Sequence, residues 1–162
     1  MMFKKINLIK KICLEKDFSI SLAESCTGGL LSSLFTKLPG SSKFFQGSYI
    51  VYSNEFKIKL LNVSSKIINK YGAVSKNTSL QMAKSLHNKT NTKIVLSITG
   101  VAGPDGGTKI NPVGTVYFTI GYYDEKKMLF KTIRKQFKNN TRIKIQKKSA
   151  AFAVDLILKT IN

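Results

Sequence analysis

The chain has 162 residues, 43% of them hydrophobic, and carries 27 lysines and arginines against 8 acidic residues, a formal net charge of +19. That length buries roughly 70% of the unfolded surface around one core, so a single domain over residues 1–162 is expected. No 18-residue apolar run occurs, which argues against a membrane-spanning helix, and the opening "MMFKKINLIKKICLEKDF" breaks its apolar residues with lysines too often for a secretory signal. A cytoplasmic protein without a membrane partner is the expectation. Cys13 and Cys26 have neither C-x-x-C nor Cys/His spacing, so no disulfide framework, metal or cofactor is expected. Only Arg134 and Arg142 are arginines, and the lysines are spread over most of the chain. This reads as charge on solvated faces, giving at most sequence-independent, salt-sensitive attraction to nucleic acid and no specific nucleic-acid partner.

In chain order, residues 3–16 place Phe3, Ile6, Ile9, Cys13 and Leu14 near one stripe of an amphipathic helix. "FSISLA" (18–23) reads as a strand and "TGGLLSSLFTKL" (27–38) as a helix that Ser25 or Thr27 would cap. After the break at "LPGSS", "GSYIVYS" (47–53) is strand-like, and Asn54 would cap a short helix "EFKIKLL", placing Lys57 in its first turn. A further helix ends near Gly72, which suits a left-handed terminal position, and Ser75 caps the next, which runs to about His87. "KIVLSITG" (93–100) is a buried strand that leads into the glycine-rich "GVAGPDGGTKINPVG". "GTVYFTIGYY" and "KMLFKTIRKQF", separated by "DEKK", form an antiparallel hairpin, and a long helix covers about 141–160. The order predicts an α/β fold, a three-layer α/β/α sandwich with a mixed sheet of about five strands.

Two stretches carry chemistry. In "AESCTGG" (23–29) a strand-to-helix turn holds two candidate nucleophiles, Ser25 and Cys26, and a glycine pair that allows close backbone approach to a ligand. The alternative is a capping serine or threonine with glycines that serve packing. Cys26 is the better intrinsic nucleophile, but no base is assigned to it, and small buried thiols are common. A serine needs a base; the single histidine, His87, sits at a helix end and reads as structural. A neutral lysine is the other solution. Lys57 qualifies if burial lowers its pKa by about 3 units; otherwise it is a solvated lysine. "TGVAGPDGG" (99–107) offers backbone N–H groups to a phosphate or carboxamide, but it has neither the Walker nor the dinucleotide spacing, and a plain surface loop is the alternative.

Taken together, "AESCTGG", "LPGSSKFFQGSYIVYSNEFK", "YGAVS", "SITGVAGPDGG", "PVGTVYF" and "AVDLIL" resemble the CinA C-terminal domain family, the nicotinamide mononucleotide deamidases, over nearly the whole chain. The resemblance implies a metal-independent serine amidohydrolase that converts nicotinamide mononucleotide to nicotinic acid mononucleotide and ammonia, acting as a homo-oligomer, with a dimer favoured. It implies that Ser25 is the nucleophile, Lys57 the general base and Tyr52 a residue that tunes the pair. Thr99 matches an active-site position, and Arg142 is the candidate for the substrate-facing arginine near the start of the last helix. N–H groups around Gly28 and Gly29 would meet the oxyanion, with Thr27, Gly100 and Gly103 contributing to substrate binding. Where relatives often read Phe-x-Gly-Asp-Arg with a second arginine four residues on, this chain reads "FKNNTR" with an extra residue and has Gln146 at the later position. No amino-terminal pyrophosphatase domain is expected. The competing readings are a pyridine-nucleotide-binding module that has lost catalysis and a basic nucleic-acid-binding protein.

Overall fold

A computed structural model describes residues 2–138 and 140–162; Asn139, within the divergent "FKNNTR", lies outside the described residues. The opening stripe forms α1 (Met2–Glu15), which buries Ile6, Ile9, Ile12 and Cys13, while Phe3 and Leu14 are exposed. β1 (Ile20–Glu24) is buried at every position, as expected for a central parallel strand covered on both faces. α2 (Leu30–Thr36) and β2 (Phe45–Ile50) follow, then α3 (Asn54–Leu61), α4 (Ser65–Tyr71) and α5 (Lys76–Thr90). β3 (Ile94–Gly100), the hairpin β4 (Thr115–Asp124) and β5 (Lys127–Gln136), and α6 (Arg142–Ile161) complete the chain.

The five strands form one sheet in the order β2-β1-β3-β4-β5. β1 pairs in parallel with β2 and β3, whereas β3–β4 and β4–β5 are antiparallel, giving the mixed α/β sheet that the alternation predicts. One face packs Leu22, Leu96, Ile98, Phe118 and Ile120 against α1, α2 and α6. The other packs Ala23 and Val95 against Leu61 of α3, Ile68 of α4 and Met82, Ala83 and Leu86 of α5. Three layers result. Among the described residues, no helix is long and apolar enough to cross a membrane.

Several local expectations are corrected. α2 begins three residues later than predicted, and neither Ser25 nor Thr27 caps it. β2 ends at Ile50 rather than residue 53, which leaves Ser53 in an extended conformation as the cap of α3; its hydroxyl accepts from the Phe56 N–H, the role assigned to Asn54. Gly72 has positive φ but an extended ψ of 162°, so it leaves α4 without the left-handed turn. Ser75 does cap α5, accepting from the Thr78 N–H.

Candidate active site

Chain direction places the site. β1 leads through α2 to β2 on one flank, and β2 leads through α3–α5 across the opposite face to β3 on the other. The connections therefore diverge at the carboxyl end of β1, the crevice in which open α/β sheets bind ligands. Ser25 directly follows β1, Thr99 and Gly100 end β3, and Tyr52 and Lys57 enter from the segment after β2. Ser25, Tyr52, Lys57, Thr99, Gly100, Gly103 and Arg142 line one cavity of about 250 Å³.

At its floor the Lys57 amine lies 2.9 Å from the Ser25 hydroxyl oxygen, 2.9 Å from the Val51 carbonyl and 3.2 Å from the Tyr52 carbonyl. Lys57 is only 1% exposed and Ser25 6%, so the solvated reading of Lys57 fails. Burial pushes the ammonium down from the usual lysine range to about 8, with the neighbouring Cys26 thiol opposing the shift. A neutral amine keeps two N–H donors and one lone pair. With the two carbonyls accepting the N–H groups, the lone pair is left for the Ser25 O–H, which is the geometry of a general base beside its nucleophile. Cys26 lacks this advantage. Burial pushes its thiol up to about 12, so the thiolate is scarce near neutrality.

The turn after Ser25 is held by a residue that the sequence reading passed over. Glu24 is fully buried, and its carboxylate accepts hydrogen bonds from the N–H groups of Gly29 (3.1 Å), Leu31 (3.2 Å) and Ser32 (2.8 Å) and from the Ser32 hydroxyl (2.5 Å). It thus satisfies the exposed donors at the start of α2 and replaces the expected hydroxyl cap. The available signal was an acidic residue that ends an apolar strand just before a glycine turn. Thr27, Gly28 and Gly29 do not line the cavity. The Gly28 N–H donates to the Ser25 carbonyl at 3.0 Å and the Gly29 N–H is taken by Glu24, so neither is free for an oxyanion. Gly29 instead supplies a φ of +92°, and a Cβ there would fall 2.8 Å from Ile50 Cδ1. Cys26 does line the cavity, and no oxygen among the described residues accepts its N–H. Glu24→Gln turns an amide NH₂ toward N–H donors; urea denaturation is expected to show a loss of about 2–3 kcal/mol. An unchanged midpoint would remove this role for the carboxylate.

The cavity mouth is polar. Arg142 Nη1 donates to the Gly103 carbonyl at 2.7 Å, and its other terminal nitrogen donates to the Tyr52 hydroxyl. Tyr52 is 57% exposed, so the aromatic ring and the guanidinium form an accessible rim. The Thr99 hydroxyl donates to the Ala73 carbonyl at 2.9 Å, and a Cβ on Gly100 would fall 2.7 Å from the Thr115 carbonyl oxygen. Asn54, the first residue of α3, and Asp105 also line the cavity; the sequence reading gave Asn54 only a capping role and Asp105 none. Gln146 stays beneath the rim, its amide donating to the Cys26 carbonyl at 3.0 Å. His87 lies far off, about 18 Å along α5 from its cap. Its Nδ1 pairs with the Thr92 carbonyl at 3.2 Å, the structural role expected of it. Among the described residues, no group of three or more His, Cys, Asp and Glu side chains comes together that could hold a metal ion.

A family model described as the CinA C-terminal domain matches residues 3–161. The chain belongs to the CinA C-terminal domain family. It is 51% identical over 120 residues to a CinA-like protein of Dictyoglomus thermophilum, covering 74% of this chain and 29% of that protein. It is 43% identical over 144 residues to a CinA-like protein of Thermosipho melanesiensis, covering 89% and 35%. This CinA domain therefore spans about a third of the length of those relatives. Among solved structures it is similar to the competence/damage inducible protein CihA from Agrobacterium tumefaciens, with a TM-score of 0.89 and 27% identity over 98% of this chain and 94% of that one. A CinA superfamily protein from Klebsiella pneumoniae has a TM-score of 0.91 at 22% identity over 99% and 98% of the two chains, a likeness of fold.

Proposed function

We propose that this CinA domain is an amidohydrolase that converts nicotinamide mononucleotide to nicotinic acid mononucleotide and ammonia. The observation that carries the reading is the buried Ser25–Lys57 pair, 2.9 Å apart at the floor of a cavity whose rim holds Arg142. Lys57 takes the Ser25 hydroxyl proton as Oγ attacks the carboxamide carbon, and the Cys26 N–H meets the oxyanion that forms. The Lys57 ammonium then gives its proton to the departing amine, ammonia leaves, and a nicotinoyl ester remains on Ser25. Water attacks that ester with Lys57 again as base, releasing the carboxylate product and restoring the serine. Arg142 at the rim pairs with the substrate phosphate. This chemistry requires neither metal nor cofactor.

A binding module that had lost catalysis would gain nothing from burying an ammonium whose pKa is pushed down to about 8. Incubation with nicotinamide mononucleotide, with ammonia and nicotinic acid mononucleotide measured together, tests the reading. Equal amounts of the two products are expected. Binding of the mononucleotide without either product would favour the lapsed module, and neither binding nor product would remove both.

A further inference from the structure

We propose that this chain has a second small-molecule site, on the face of the glycine-rich loop turned away from the catalytic cavity, where Arg134, Lys109 and Lys138 take a phosphate-bearing ligand. The loop connecting β3 to β4 has two layers. Residues Val101–Gly103, Asp105 and Gly106 line the catalytic cavity, whereas Lys109, Ile110, Pro112 and Val113 line a second cleft of about 530 Å³ completed by Arg134, Gln136 and Lys138. Three cations and no carboxylate face that cleft. None of the three forms an ion pair among the described residues, where the pairs present are Lys5–Asp155, Lys11–Glu15 and Lys59–Glu55.

Residue choice separates this cleft from the general lysine surface. The basic count is 27 and only Arg134 and Arg142 are arginines, so lysine fills the other 25 basic positions. Both arginines donate to carbonyls of the same loop, Arg142 to Gly103 at 2.7 Å and Arg134 to Ile110 at 3.0 Å. A lysine supplies surface charge equally well; what it lacks is a planar fork fixed by one bond while further N–H groups remain for a ligand. Arg134 has that arrangement. One terminal nitrogen is anchored on the loop, and the side chain is otherwise exposed to the cleft. The cleft floor is held as well: the Gln136 amide donates to the Val113 carbonyl at 2.8 Å and accepts from the Thr115 hydroxyl at 2.6 Å. An anchored guanidinium that shares its cleft with the unpaired ammonium groups of Lys109 and Lys138, among the described residues, fits a phosphate or pyrophosphate group. The two clefts also touch, since a Cβ on Gly103 would fall 2.5 Å from Val113 Cγ1 and the Gly103 carbonyl anchors Arg142.

Inorganic pyrophosphate is the probe, titrated by calorimetry and by backbone amide NMR shifts into Arg142→Gln protein, so that the catalytic rim does not contribute. Saturable binding with one equivalent is expected at about 0.15 M salt, with shifts concentrated at residues 109–113 and 134–136. Adding Arg134→Gln should weaken it about tenfold or more, and Lys109→Gln with Lys138→Gln, which leaves the Arg134–Ile110 bond intact, should do the same. Lys66→Gln with Lys70→Gln on α4 should leave it unchanged. Non-saturable binding, shifts elsewhere, or equal losses in the α4 variant would overturn the site and leave only diffuse lysine attraction. A short single-stranded DNA that binds these residues more tightly than pyrophosphate at that salt would overturn the small-molecule reading. None of these outcomes depends on amidase activity.

Discussion

Ser25→Ala is expected to reduce ammonia release from nicotinamide mononucleotide by roughly a thousandfold or more at saturating substrate, because the covalent route disappears with the hydroxyl. Cys26→Ala is expected to keep most of the activity. The difference follows from the two environments. Ser25 Oγ has an amine 2.9 Å away that can take its proton when neutral, a form that burial favours by lowering the Lys57 pKa to about 8, whereas the Cys26 thiol is pushed up to about 12 by burial. Neither change removes a backbone group: the Cys26 carbonyl still accepts from Gln146, and residue 26 still lines the cavity. In the Ser25 variant, Lys57 retains the Val51 and Tyr52 carbonyls, so the fold should persist. Steady-state ammonia assays on both variants, with circular dichroism to verify folding, decide the matter. Comparable losses in two folded variants would remove Ser25 as the nucleophile, and a larger loss in Cys26→Ala would transfer the role.

The order of strands and helices was legible because periodicity and turn chemistry agree along most of the chain. β1 and β3 read as short apolar strands, and the β4–β5 hairpin followed from two β-rich segments separated by four polar residues. What failed was local and had tertiary causes. α2 was given a hydroxyl cap because serine and threonine flank its start, but the donors there are satisfied by Glu24, a strand residue whose side chain folds back over the turn. The same substitution of partners misassigned the glycine pair. Gly28 and Gly29 were read as ligand-facing, yet their N–H groups and positive φ values are used in forming the turn, whereas no oxygen among the described residues accepts the Cys26 N–H. Ser25 and Lys57 lie 32 residues apart, so no spacing rule pairs them; Lys57's first-turn position made it a candidate base, the family resemblance assigned it to Ser25, and the two side chains are in contact in the structure. Lys57's position in a first helical turn was visible in the sequence, whereas the burial that lowers its pKa comes from packing between layers.

Removal of the Lys57 amine should be as damaging as loss of the nucleophile and should leave a different signature. Lys57→Met preserves the length of a fully buried side chain but has no group to accept a proton, so turnover at saturation is expected to fall about a thousandfold. Lys57→Arg keeps the charge and stays protonated at any working pH, so it should lose turnover equally if the lysine is a base. Stability alone does not predict that outcome. The Met variant strands the Val51 and Tyr52 carbonyls, costing about 1–3 kcal/mol each, and relieves the burial of an ammonium, worth about 3 kcal/mol for a pKa moved from 10.5 to about 8. These opposing effects should leave a folded protein. In the wild type, kcat/KM should rise with pH through an acidic limb near 8, since only the neutral amine accepts the serine proton. Stability follows the same group: the folded-state pKa is depressed, so between about pH 8 and 10.5 the unfolded chain binds more protons, and the Lys57 contribution raises stability as pH rises through that window. Stopped assays from pH 6 to pH 9, a range chosen to span roughly the shifted value and the physiological one, measure the limb directly. A limb near 8 in the wild type and a flat residual rate in Lys57→Met are the expected pair. Robust turnover by a folded Lys57→Arg protein would overturn the base assignment, because a permanent cation beside Ser25 Oγ can orient the hydroxyl but cannot receive its proton.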